Sequence, residues 1–192
     1  MKLIRNLLAL VGLAAIALVV AAYLRFGPQI AQLDPGAMNV YTEFAQKVME
    51  TGDPGVAMMW AVPVAEGVEP DDVVESLKSI ATAHNFLFVG ESPLSKQIEA
   101  VTGQKYRYVN FLSFCDARVA AQMLDYRNEY SGFMPCRIAL VQNPDGKLWL
   151  YSMNLDLMVH GGRPLPPELH ASAVKVRDTI KAIMEGAAKG EF

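Results

Sequence analysis

The sequence predicts an α+β fold: a compact sandwich of a mostly antiparallel sheet with helices, preceded by one transmembrane helix. Three observations carry this. An uncharged apolar run occupies Leu7 to Leu24. Beyond residue 37, apolar strand-like runs alternate with amphipathic stretches at helical spacing. The last two strand-like runs, Pro135 to Gln142 and Lys147 to Met153, flank the turn Asn143-Pro144-Asp145-Gly146, which makes them an antiparallel hairpin. With 192 residues, about half of them hydrophobic, the chain holds one ordinary core plus a tether rather than two large domains.

The eighteen residues from Leu7 to Leu24 give roughly 27 Å of helix, enough to cross a bilayer core. Lys2 and Arg5 precede them, whereas Asp34 and Glu43 are the first charges beyond Arg25, so the positive-inside rule keeps the amino terminus cytoplasmic and places the rest outside. Tyr23, Arg25 and Phe26 suit the far interface, and Gly27-Pro28 is expected to end the helix. Residues 1–26 therefore read as a signal-anchor, 27–36 as a short linker and 37–192 as the soluble domain. The competing reading is a cleaved signal peptide, with the small residues Val20, Ala21 and Ala22 at its cleavage site.

Tyr41, Phe44, Ala45, Val48 and Met49 recur at helical spacing and predict an amphipathic helix over 38–50. The continuous apolar run Val56 to Val64 predicts a buried strand. Pro70, Asp71 and Asp72 open a helix with Val73, Val74, Leu77, Ile80 and Ala81 inward, the two aspartates matching the positive end of its dipole. Phe86 to Val89 is a strand, 93–102 a short helix stopped by Gly103, Tyr106 to Cys115 a strand and Ala117 to Tyr126 a helix. Pro166 to Met184 closes the chain as a helix with Ala173, Val176, Ile180 and Ile183 on one face.

Three segments carry a resemblance: His84 to Glu91 (HNFLFVGE), Phe111 to Leu124 (FLSFCDARVAAQML) and Phe133 to Met153 (FMPCRIALVQNPDGKLWLYSM). In this order, with Pro-Cys opening a strand that runs into a Pro-Asp-Gly hairpin, they resemble the bacterial "domain of unknown function 302" family over about residues 56–162. The resemblance implies a compact α+β domain, a homodimer and no assigned reaction.

Cys115 and Cys136 are the only cysteines. In an oxidising compartment such a pair is a disulfide candidate, and closing a loop of about twenty residues stabilises by roughly 3 kcal/mol; two buried free thiols, or a redox or metal role, are the alternatives. Met153, Met158 and His160, in the run SMNLDLMVHGG, are soft or borderline donors suited to copper(I) or to haem, against the plainer reading of core methionines and a loop histidine. No CxxCH is present, so covalent c-type haem is excluded. His84 and His170 read as cap or surface residues, and Gly161-Gly162-Arg163 as a loop with some capacity for an anion. Nucleophile elbow, His-Glu-x-x-His and phosphate-binding glycine loop are all missing from the sequence. The formal net charge of −3 supplies no basic face for nucleic acid.

The expected function is a noncatalytic accessory or interaction protein, held to lipid by residues 7–24 in a bacterial inner membrane with its domain in the periplasm. Its partner would be a larger membrane complex such as a respiratory or sulfur-oxidising assembly. The alternative is a periplasmic metal-, haem- or sulfur-ligand-binding or redox protein. No cofactor is predicted under the first expectation; copper or haem belongs to the second.

Overall fold

The computed structural model describes residues 2–192. Helix α1, Lys2–Ile30, is exposed along its length and is long and apolar enough to cross a membrane. It does not stop at Gly27-Pro28. Proline at position 28 removes one N–H donor, a loss confined to a single rung of the ladder, and the chain winds on until the Ala31 amide meets the Gly27 carbonyl at 2.9 Å. Helix α2, Ala37–Thr51, and the single turn α3, Pro54–Ala57, follow. That turn replaces the start of the strand expected from Val56. Asp53 accepts from the Gly55 amide (2.7 Å) and the Val56 amide (3.4 Å) and nucleates it, and an apolar run alone does not distinguish a helical turn from a strand.

The remaining elements are β1, Met59–Pro63; α4, Pro70–Ala83; β2, Leu87–Ser92; α5, Leu94–Thr102; β3, Val109–Cys115; α6, Ala117–Tyr126; a 3₁₀ helix, Asn128–Phe133; β4, Cys136–Gln142; β5, Leu148–Met153; α7, Asp156–His160; and α8, Pro167–Ala187. The five strands form one sheet in the order β1-β5-β4-β3-β2, with every pair antiparallel. This is the α+β architecture expected, with the hairpin β4–β5 turning through Gly146 at φ +84°.

Strand alternation decides the core. Leu112, Phe114, Ile138, Leu140 and Leu150 point to one face and are fully buried there against Leu77 of α4 and Ile180, Ile183 and Met184 of α8. Each such side chain contributes about 1.5–3 kcal/mol by leaving water. A second, smaller cluster gathers Met123 of α6, Val159 of α7, Leu165, and Leu169 and Ala173 of α8. The two clusters meet where β3 ends and β4 begins. The other sheet face carries the half-buried Phe111, Trp149 and Tyr151.

Candidate functional site

In register, Phe114 of β3 faces Cys136 of β4, so Cys115, one step beyond Phe114, is the diagonal neighbour of Cys136 at the same end of the sheet. Asp116 then turns the chain into α6, its carboxylate accepting from the amides of Arg118 (3.0 Å) and Val119 (3.2 Å). Val119 and Met123, one turn apart, lie on the inner face of that helix. The 3₁₀ helix returns the chain to Met134, α7 supplies Met158, and α8 closes the side with Ala173 and Val176. Between them lies a cavity of about 60 Å³ whose walls are almost wholly apolar carbon and sulfur. Five of its side chains carry sulfur: Cys115, Met123, Met134, Cys136 and Met158.

Both cysteines are free thiols. Burial, and then the neighbouring Cys115, push the Cys136 thiol up to about 11. Burial and Asp116 raise Cys115 as well. Thiol–disulfide catalysts use the opposite shift, a depressed pKa that yields thiolate at neutral pH. At neutral pH this pocket therefore presents uncharged, polarizable sulfur.

The run containing Met153, Met158 and His160 is divided among three surroundings. Met158 lines the cavity. Met153 pairs with Met59 at the end of β5 and borders a separate groove beside Ser113 and Arg137. His160 points to the segment joining α1 to α2. In the cavity, the places of Met153 and His160 are taken by Met123 and Met134, which sequence reasoning did not single out. Met123 lies unmarked within the helix expected over Ala117 to Tyr126, and Met134 carries no signal beyond its place before Pro135.

A second polar cluster forms around Asp34, which is 7% exposed. Its Oδ1 accepts from the Gly36 amide at 2.8 Å and stands 3.0 Å from His160 Nδ1, while its Oδ2 is 3.8 Å from His170 Nε2. The Asp34 amide donates to the Gly162 carbonyl at 2.8 Å, and the Tyr41 hydroxyl donates to the Gly161 carbonyl at 2.6 Å. Gly161 and Gly162 thus use their carbonyls to hold the segment that follows α1. Gly36 is needed for close approach, since a Cβ there would lie 3.1 Å from the His160 ring. On the far side of that ring, Arg177 Nη1 is 3.1 Å from Nε2 and 3.3 Å from Asp156 Oδ1, and Arg177 Nε donates to Asp178 at 2.8 Å. An arginine only donates. His160 Nε2 is consequently the acceptor, and Nδ1 carries the proton given to Asp34. Burial opposes ionisation of Asp34, but the Gly36 amide and the two histidines outweigh it and hold the carboxyl below its ordinary range.

His84 caps the C-terminal end of α4 and is exposed. Asp71 and Asp72 lie in the first turn of the same helix, where its dipole favours them. The third histidine, His170, is the one that sequence reading left on the surface and the fold brings to Asp34.

The family model for domain of unknown function DUF302 matches residues 60–187. The chain is also similar to a solved structure described as the crystal structure of uncharacterized conserved protein DUF302 from Bacillus stearothermophilus: TM-score 0.54 at 16% identity, covering 66% of this chain and 95% of that one. At that identity the likeness speaks for the fold alone. Among curated proteins no significant match is found.

Proposed function

The chain belongs to the DUF302 family, domain of unknown function, and from that premise we propose that it is a membrane-anchored extracytoplasmic accessory protein that holds copper(I) in its sulfur-lined cavity. One observation carries the proposal: two thiols and three thioethers line a single apolar cavity of about 60 Å³. Organic ligands and cofactors such as haem occupy pockets of roughly 300–1,000 Å³, so this volume suits one ion. Thiolate and thioether ligands select soft monovalent copper over harder cations. Binding needs no redox step. Copper(I) adds to one thiol sulfur, the thiol proton leaves to solvent, and methionine sulfur completes the shell. One thiolate and one copper(I) cancel in charge, which suits walls that offer no counter-ion.

The anchor is α1, with Lys2 and Arg5 on the cytoplasmic side and the domain in the periplasm of a bacterial inner membrane, where a larger assembly would receive or supply the metal. The homodimer belongs to the same proposal, and the sheet face bearing Phe111, Trp149 and Tyr151 is the surface it would cover.

The test is a copper(I) titration of the full chain in detergent, under reducing conditions, against a chromogenic chelator. One copper per chain is expected, abolished in Cys115→Ala/Cys136→Ala and weakened at least tenfold in Met158→Leu. Retention of copper by the double alanine variant would sink the assignment. Protease added to spheroplasts should digest the domain without lysis; protection would place it on the cytoplasmic side instead.

A further inference from the structure

We propose that Asp34, His160 and His170 form a second site, for a borderline divalent cation such as zinc, and that Arg177 competes with the metal for His160. The site is independent of the sulfur-lined cavity. The carboxylate of Asp34 and one ring nitrogen from each histidine lie within 4.8 Å of one another, and two imidazoles with a carboxylate are a common protein set for zinc.

Two further observations point to a cation. Asp34 is 7% exposed, and its Oδ2, which still reaches solvent, is open to a further ligand: it faces His170 Nε2 at 3.8 Å, too far for a hydrogen bond. The surroundings are also short of positive charge. Among the described residues, Asp34, Asp156 and Asp178 are linked through His160 and Arg177 to two cations, Arg177 itself and Lys181, the latter 3.5 Å from Asp156. A divalent ion between Oδ2, His170 Nε2 and His160 Nδ1 would take up that open oxygen and reverse that imbalance, leaving a fourth position for water.

The cost lies at His160. A metal on Nδ1 requires that nitrogen to be deprotonated, so the ring proton moves to Nε2, where it meets the Arg177 donor at 3.1 Å. Two donors cannot share that contact. Arg177 must withdraw, and it keeps Asp178 and Asp156 when it does. The carboxylate of Asp156 then becomes the natural acceptor for Nε2–H, the carboxylate–histidine–metal arrangement that orients ligating imidazoles. Because Asp34 lies between α1 and α2 while His160 and His170 lie on α7 and α8, the ion would tie the anchor segment to the domain.

The competition gives the test its sign. Zinc is titrated into the full chain carrying Cys115→Ala/Cys136→Ala, so that thiols do not contribute, and cobalt(II) is used to report geometry. One metal per chain is expected, with the d–d absorption of a four-coordinate nitrogen–oxygen site. His170→Gln, at a residue whose side chain makes no hydrogen bond among the described residues, should weaken binding at least tenfold and abolish the rise in melting temperature that zinc gives its parent. Arg177→Gln should tighten it severalfold, since glutamine can accept from Nε2–H. Equal zinc affinity in His170→Gln and its parent, or weaker binding in Arg177→Gln, would overturn the proposal.

Discussion

Asp34 and His160, 126 residues apart in the chain, meet at 3.0 Å, and through this contact the segment that follows α1 is fixed to the last two helices of the domain. The supposed linker is therefore part of the folded body from Asp34 onward. Its amide and carboxylate both serve the attachment, to Gly162 and to His160.

Replacing Asp34 by alanine strands the Gly36 amide and the His160 Nδ1–H, two partly buried donors. Leaving a buried donor unmet costs about 1–3 kcal/mol. Asp34→Ala should lower the unfolding free energy by about that amount in urea melts, and limited proteolysis should cut between residues 31 and 36 at a higher rate. Asp34→Asn, which retains an acceptor oxygen, should restore most of the resistance to cleavage.

The thiols give a pH prediction. Burial raises the folded pKa of Cys136 from the ordinary 9.0 to about 11. The folded state thus holds the proton more tightly than the unfolded one. That contribution is complete below pH 9 and is lost as pH rises through about 11, up to roughly 2–3 kcal/mol at 1.36 kcal/mol per unit. Cys136→Ala should flatten the stability profile between pH 9 and 11 in denaturant melts. In the wild-type protein at pH 7.5, a maleimide should label Cys115, the less shielded thiol, well before Cys136.

How much of this was legible in the sequence depends on range. The β4–β5 hairpin was, because Asp145-Gly146 and the flanking alternation are local. So was α8, whose inward Ala173, Ile180 and Ile183 recur at helical spacing. The end of α1 was misread because a proline three residues from a helix end removes one rung without stopping the helix. The cavity was half visible: both cysteines were marked as a pair, but which methionines join them depends on how α6 and α7 fold back over the sheet end. Asp34 had no signal at all, since a lone aspartate among Pro, Gly and Ala reads as linker. Its partners lie on α7 and α8.

An acid-sensitive contact lies at the opposite edge of the sheet. Glu91 of β2 accepts from Asn110 Nδ2 at 2.7 Å and from Lys78 Nζ at 2.9 Å. The Asn110 bond first, then Lys78, hold its carboxyl below the ordinary 4.5 despite partial burial. A depressed folded pKa stabilises above the unfolded value and is lost as pH falls below it. Glu91→Gln should therefore cost stability at pH 7, under about 1 kcal/mol because water screens a partly exposed pair, and the difference from wild type should shrink toward pH 3. A constant difference across that range would mean that packing, not charge, is responsible. The Oδ1 of Asn110 is buried without a partner, and Asn110→Leu removes that orphan oxygen along with the bond to Glu91, so the double variant Glu91→Ala/Asn110→Leu should destabilise less than the two single changes add separately.

A close helix–helix packing constraint lies at Gly186, where α8 passes α4. A Cβ built there would lie 2.7 Å from Ile80 Cδ1, inside the contact distance of two carbons. Alanine is the better helix former by about 1 kcal/mol, so on propensity alone Gly186→Ala would stabilise α8. Two terms oppose this. Overpacking a close helix–helix contact costs about 1–3 kcal/mol, and the α4–α8 layer is the lid over Leu112, Leu140 and Leu150, so strain there spreads into the main cluster. The flexible end of Ile80 can yield part of the distance, which sets the expected net loss near the lower end, about 1 kcal/mol. Ile80→Val removes the methyl that the added Cβ would strike. The pair should therefore couple favourably in a double-mutant cycle, with Gly186→Ala neutral or stabilising once Ile80 is shortened. Denaturant melts of the four proteins read this directly; independent, additive losses would show that the helices separate rather than collide at this point.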